Sequence, residues 1–346
     1  MVARSRNRDC VGGLSPPTHS HAATGTPGHP YTVTPVLPAD NQDHASYFKL
    51  AVRPHQHRRL RLKIANQGKT AQRYDVVARI ATTNSNGIVD YSRNNRAKML
   101  PAQATALFAP QAQTVRVPAQ ATRTVTVELT VPAHAFKGVM LAGLTVREHT
   151  TATALKATKG TGVVARAEYV VALEFYTHRP INLGSPDLTV HRAQYQLAQA
   201  YPQVALAMVN RTPALVSQGR LHATLTTSAG KKVRHFQRND LLFAPQSQFT
   251  LGLDLGSQAL AAGQYTLTGT LKTRGGFTYP FTLPLTVTRQ NVRQVTRHGV
   301  VKASARTFNW LWAVVGGLSG LVLVLALVIW RLLRRTASTE LPDSEA

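Results

Sequence analysis

The sequence of 346 residues has a single cysteine, Cys10. That excludes an intrachain disulfide and any multi-cysteine metal centre. Acid is scarce as well: 15 Asp+Glu stand against 40 Lys+Arg. Carboxylates so few and so scattered offer no pair of the kind that hydrolyses glycosides. No Gly-x-Ser-x-Gly elbow is present to carry a nucleophilic serine. Aromatic residues make up only 7% of the chain, and no P-loop, zinc-finger or RNP pattern occurs. Charge without those features does not make a nucleic-acid reader. No cofactor site is expected, and the chain is not expected to be an enzyme. Residues 1–30 hold basic residues but no apolar h-region, so they read as a disordered leader and not as a signal peptide.

What the chain does have is basic charge, a formal net +25. It is spread along the chain. Residues 31–178 hold 19 basic and 8 acidic residues, and residues 179–288 hold 10 and 3. Dispersed charge of one sign gives a general attraction to polyanions and no single docking groove. Anionic wall polymers and anionic lipid fit that description.

Hydrophobic residues between 31 and 288 alternate with period two. In "RRLRLKIAN" Leu60, Leu62 and Ile64 fall on one face, and Arg59, Arg61 and Lys63 on the other. In "RTVTVELTV" Val125, Val127 and Leu129 share a face. "EYVVALEFY" is a longer apolar run suited to a sandwich core. Turn residues punctuate these runs, and convincing amphipathic helices are absent. The expected class is all-β: two tandem immunoglobulin-like β-sandwich domains, residues 31–178 and 179–288. The second is assigned strands at Leu188–Tyr195, Gln203–Asn210, Arg220–Thr227, Phe249–Leu253, Gln264–Thr273 and Thr278–Val287. Pro280 and Pro284 place the last of these at a sheet edge. A Thr/Ala/Lys-rich loop around Gly160–Gly162 interrupts the first domain.

Trp310 to Trp330 reads "WLWAVVGGLSGLVLVLALVIW" and carries no charge. At roughly 1.5 Å per residue it is long enough for a hydrocarbon core of about 30 Å, and tryptophan suits both interfaces. It is expected to be a single transmembrane helix, preceded by a juxtamembrane linker at 289–309. The tail 331–346 opens with Arg331, Arg334 and Arg335, as a cytoplasmic flank would. The preceding domains then face outward, toward the cell wall.

Two short stretches invite a chemical reading. "HQH" at His55–His57 puts two imidazoles on one strand face, but no third ligand stands at a telling distance, so no metal site is assigned. "ATTNSNGIVDYS", Ala81 to Ser92, carries the only Asn-Gly pair of the chain. Asn86-Gly87 favours the φ > 0 pair of a type I′ hairpin turn. Thr82, Thr83, Asn84 and Asp90 are expected to bond the local backbone. A calcium loop would need more carboxylates than Asp90 alone. Asp90 and Tyr91 are candidates for wall or partner binding, because an acid and an aromatic beside a turn can hydrogen-bond and stack. Arg59, Arg61 and Lys63 are candidates by charge.

"YTVTPVLPADNQDHASYFKLAVRP" followed by "ATTNSNGIVDYS" strongly resembles the WxL-interacting surface proteins of lactobacilli and related Gram-positive bacteria. Their first domain opens "F-x-V-x-P-x-x-P…S-Y-F-x-L" and later carries "T-N-x-N-G-x-I-D-Y". "VPAHAFKGVMLAGL" is similar to their "P…F-x-G-x-x-x-G-G", with Ala142 where Gly is common. "VNRTPALVSQGRLHATL", "FAPQSQFTLGLDL" and "LAAGQYTLTGTL" match looser landmarks of their second domain. The resemblance implies a non-enzymatic, membrane-anchored surface protein. Its implied partners are peptidoglycan for the first domain, host components such as extracellular matrix proteins for the second, and WxL-domain proteins. A tryptophan usual near the last strand is replaced by Phe277 and Tyr279. A membrane subunit of a wall-modifying enzyme and a surface assembly factor presenting an edge strand remain as alternatives.

Overall fold

The computed structural model describes residues 31–101, 106–149, 167–178, 184–299, 326, 329 and 330. The chain divides into two units, Met1–Val301 and Lys302–Ala346. Within the first, almost all regular structure is β, arranged around two separate hydrophobic cores.

The first core lies between two sheets. One runs β1 (Tyr31–Val36), β3 (His57–Asn66), β9 (Thr122–Thr130), β7 (Phe108–Ala109). The other runs β2 (Phe48–Ala51), β11 (Glu168–Tyr176), β10 (Met140–Glu148), β4 (Gln72–Ile80), β8 (Ala112–Val117). The period-two pattern explains β3 directly. Leu60, Leu62 and Ile64 are at most 1% exposed, while Arg59, Arg61 and Lys63 point to solvent. Burying one such aliphatic side chain is worth about 1.5–3 kcal/mol, which fixes the register against Val125, Val127 and Leu129 of β9. Tyr31 fastens the layers where they meet. Its hydroxyl donates to the carbonyls of Val146 and Ala167, and its ring packs on Tyr74 and Tyr169.

The second core lies between a sheet of β12 (Leu188–Ala198), β13 (Tyr201–Asn210) and β16 (Ser247–Asp254), and a sheet ordered β15 (Lys232–Phe243), β14 (Val216–Thr227), β17 (Gly263–Lys272), β18 (Thr278–Val287). β18 stands at the end of its sheet, where Pro280 and Pro284 leave no ladder donor missing toward an outer neighbour.

Two elements differ from the sequence expectation. β15 was not anticipated. Its segment "KVRHFQRNDLLF" buries only Phe236, Leu241 and Phe243, and register shifts against β14 break the alternation. Arg289–His298, assigned to a linker, forms helix α1. Thr288 and Asn291 close a reciprocal capping box there, and Val295 is buried against the second core. With only Val292 and Val295 apolar, the helical period was too faint to read.

Among the described residues no helix is long and apolar enough to cross a membrane. Most of Trp310–Trp330 lies outside the described residues, although Ala326, Ile329 and Trp330 are helical. The leader with Cys10, the Gly160–Gly162 loop and the tail 331–346 also lie outside them.

Candidate functional site: an interlocking hairpin and an aromatic patch

Ala81–Ser92 does form a hairpin. Thr82–Thr83 (β5) pairs with Val89–Asp90 (β6), Thr82 opposite Asp90 and Thr83 opposite Val89. The turn is not the expected one. Gly87 has φ +75°, while Asn86 is not in the left-handed region. The Asn84 carbonyl accepts the Gly87 amide at 3.0 Å, so Ser85-Asn86 are the central pair and Gly87 follows as a bulge residue. The cause is Asn84. Its side-chain oxygen takes the amides of Asn86 at 2.9 Å and Ile88 at 3.2 Å, an Asx arrangement that favours this longer, three-residue loop.

The hairpin explains its own length by what it reaches. Its tip enters the seam between β15 and β16, which belong to opposite sheets of the second core. The Leu242 amide of β15 donates to the Gly87 carbonyl at 2.7 Å, and the Gly252 amide of β16 donates to the Ser85 carbonyl at 2.8 Å. Arg238 donates to the Asn86 carbonyl at 3.0 Å. Thr83 Oγ1 accepts the Ala244 amide at 2.9 Å and lies 3.2 Å from Ser247 Oγ, both bonds buried. Gly87 itself sits against Leu241 and Leu251. A Cβ there would stand 2.5 Å from Leu241 Cδ2 and 2.9 Å from Leu251 Cδ1.

Two flanking contacts widen the joint. Asn95 Nδ2 donates to the Gln246 carbonyl at 3.1 Å, and Gln246 Nε2 donates to the Met99 carbonyl at 2.8 Å. The Val139 amide donates to the Pro213 carbonyl at 2.8 Å. Gly138, at φ +75°, leaves no room for a side chain between itself and Pro213. Thr83 was thus expected to serve the local backbone, and it serves the neighbouring half instead. Sequence reasoning missed Gly138, Pro213, Leu242, Gln246 and Gly252. Gln246 and Asp240 at positive φ mark the bends that present this seam, and nothing in residue type alone signals them.

The two residues beyond the turn divide. Asp90 is spent locally: it accepts the Ser92 amide at 2.9 Å and the Ser92 hydroxyl at 2.8 Å, with Arg93 3.9 Å away. Tyr91 lies across Gly143 on the outer face of the β4–β10–β11 sheet. A Cβ on Gly143 would come within 2.5 Å of its ring. Burial, then the nearby Tyr47 and Glu174, push the Tyr91 hydroxyl up to about 12. Around it, the Tyr47 hydroxyl donates to Glu174 at 3.3 Å, and Lys49 Nζ lies 3.5 Å from Glu174 and 2.9 Å from Asp43. An aromatic ring, a carboxylate and an ammonium on one sheet face can stack on a sugar and pair with peptide termini.

Arg59, Arg61 and Lys63 face solvent from β3, in the opposite sheet of the same core, so the structure does not bring them to Tyr91. Arg59 stands 3.5 Å from Glu128 but remains 78% exposed, a pair worth little in water. His57 Nδ1 lies 3.2 Å from Thr130 Oγ1. No three metal-ligating side chains cluster among the described residues.

Comparison with known proteins gives the following. Residues 31–148 match the model of the WxL Interacting Protein, peptidoglycan binding domain, and residues 158–297 match that of the WxL Interacting Protein, host binding domain. β11 falls inside the second match, yet its Val171, Leu173 and Phe175 belong to the first core. No curated protein matches the chain. Solved structures with partial likeness include a chaperone–tip adhesin complex of CFA/I fimbriae biogenesis, at 9% identity, covering 73% of this chain and 98% of that one, TM-score 0.29. The class 5 fimbriae chaperone CfaA has 9% identity, 73% and 98% coverage and TM-score 0.28. The Pseudomonas aeruginosa CupB2 chaperone has 17% identity, 68% and 96% coverage and TM-score 0.25. At such scores the likeness carries nothing about function. The two family matches together span most of the sequence, and the chain belongs to the WxL Interacting Protein family.

Proposed function

We propose that this chain is a non-enzymatic surface protein with two immunoglobulin-like domains, the first binding peptidoglycan and anionic wall polymers and the second binding host components. WxL-domain proteins are its partners in the wall. The apolar run Trp310–Trp330 holds it in the membrane with both domains outside and the tail 331–346 in the cytoplasm. The observation that carries this reading is the tandem match of a peptidoglycan binding and a host binding domain on one chain. The hairpin supports a further point: Thr83, Ser85 and Gly87 accept hydrogen bonds from amides of the second half, so the two act as one body. Two surfaces of the first half suit two components of a wall. The Tyr91–Glu174–Lys49 patch offers stacking and pairing to glycan and stem peptide. The exposed row Arg59, Arg61 and Lys63 offers charge to teichoic phosphates.

Sedimentation with isolated Gram-positive walls tests this. Retention on complete walls should fall between 0.1 M and 1 M salt, as the Debye length shrinks from about 10 Å to about 3 Å. Arg59, Arg61 and Lys63 changed together to Ala should reduce it further. On peptidoglycan stripped of teichoic acid, Tyr91→Ala should be the damaging change. No retention on either preparation would overturn the reading.

A further inference from the structure

The β15–β14–β17–β18 sheet is poor in acid. Strands β14, β17 and β18 contain no Asp or Glu. Their outward positions are threonine, histidine, arginine and lysine, with Gln218, Gln264, Pro280 and Pro284 beside them. Arg220 stands directly opposite Lys272, and His222 stands opposite Thr270. One strand over, the His235 ring lies 6.1 Å from that of His222, held by a 3.3 Å contact of its Nδ1 with Thr224 Oγ1. The only acid on the sheet is Asp240 on β15, at the bulge. Neither it nor Arg220 nor Lys272 makes an ion pair among the described residues.

Some cations of the first half have a carboxylate beside them: Arg59 is 3.5 Å from Glu128, Lys49 lies between Asp43 and Glu174, and Arg147 is 3.8 Å from Asp75. Among the described residues Arg220 and Lys272 have no such neighbour, and the hydroxyls of Thr268 and Thr270 have no hydrogen-bond partner. Same-face residues recur about every 7 Å along a strand and about 4.8 Å between strands. The result is a broad array of donors and cations in which Asp240, on the edge strand β15, is the one carboxylate.

We propose that this face binds a linear sulfated polysaccharide, its sulfates paired with Arg220 and Lys272 and its ring hydroxyls with His222, His235, Thr268 and Thr270. The charges on these strands are Arg220 on β14, Lys232, Arg234, Arg238 and Asp240 on β15, and Lys272 on β17, so the sheet is net positive. A stiff sugar chain suits an extended sheet face better than a flexible glycerol-phosphate chain, which loses more conformational freedom on lying flat. The proposal deepens the host-binding reading of the second half and rests on it.

The test is calorimetric titration of the full chain in detergent with a size-defined heparin oligosaccharide. Binding should occur and vanish with the desulfated oligosaccharide. Arg220→Ser with Lys272→Ser should weaken binding about tenfold, as loss of two charge-assisted contacts would. Both side chains are exposed, so melting temperature should hold and serve as the folding control. Unchanged affinity in the Arg220/Lys272 variant overturns the proposal. So does a preference for a glycerol-phosphate polymer over heparin, which would assign the face to the wall. Host-cell attachment insensitive to heparinase would sink the sulfated-glycan assignment and leave the host-binding reading standing, whereas no attachment at all would sink both.

Discussion

The carbonyl of Gly87 accepts the amide of Leu242 at 2.7 Å, and the same glycine leaves no space for a Cβ beside Leu241. A residue of the first half is thus set into the second with no slack on either side. Gly87→Val should suffer twice. A β-branched residue is poorly tolerated at φ +75°, and its Cβ must displace Leu241 and Leu251 from a well-packed seam. Together these should cost about 2–4 kcal/mol, read as a lower midpoint in denaturant. An unchanged midpoint would mean that the tip does not sit in the seam.

Thr83 offers a subtler change at the same joint. It is 1% exposed, and its hydroxyl oxygen is the acceptor for the Ala244 amide. Thr83→Val keeps the shape and strands that amide, which should cost about 1–3 kcal/mol. Thr83→Ser keeps the oxygen and should cost much less. Equal losses in the two variants would show that packing matters there and the bond does not.

Much of this architecture was legible in the sequence. The alternation of Leu60, Leu62 and Ile64 against Arg59, Arg61 and Lys63 is a local signal, because a half-buried strand records its two environments residue by residue. The hairpin was legible for the same reason: Asn-Gly has few other uses. Its turn type was not, because Asn84 decides it through a side-chain bond that competes with the Asn-Gly preference. The docking partner of the hairpin was not legible either. β15 carries few buried residues and a broken register, so the strand that receives Gly87 looks like a polar loop. Tyr91 could be picked out as an aromatic near a turn, but that it lies on Gly143 is a tertiary fact.

Gly143→Ala tests that stacking. The added methyl would meet the Tyr91 ring and lift it from the sheet. The hydroxyl, held at about 12 in the native protein, should then titrate closer to the ordinary tyrosine value of about 10, as seen in ultraviolet difference spectra. A titration identical to the native protein would remove Tyr91 from that face.

The same group gives a pH dependence with a defined sign. The folded state holds the Tyr91 proton to about 12, while the unfolded chain releases it near 10. Burial raises the Tyr31 and Tyr74 hydroxyls in the same direction. The unfolded state therefore binds fewer protons in that window, and stability must fall as pH rises above about 10. The contribution is fully present below that. Denaturant midpoints that stay flat through the alkaline range would contradict the buried placement of these phenols.

Tyr74 is fully buried, and its hydroxyl has no hydrogen-bond partner among the described residues. Tyr74→Phe removes an unsatisfied polar atom and leaves the ring against Tyr31. Stability should hold or rise by about 1 kcal/mol. A clear loss would show that the hydroxyl is satisfied in solution.

The central claim, that the first and second halves are one body joined by the hairpin, is tested most directly by native-state hydrogen exchange. Three amides of the second half have their acceptors on the hairpin: Leu242 on Gly87, Ala244 on Thr83 and Gly252 on Ser85. In the intact protein they should exchange as slowly as core amides such as that of Leu206 in β13, because opening them requires the joint to open. If Leu242, Ala244 and Gly252 exchange freely while Leu206 stays protected, the hairpin is not docked and the two halves move independently.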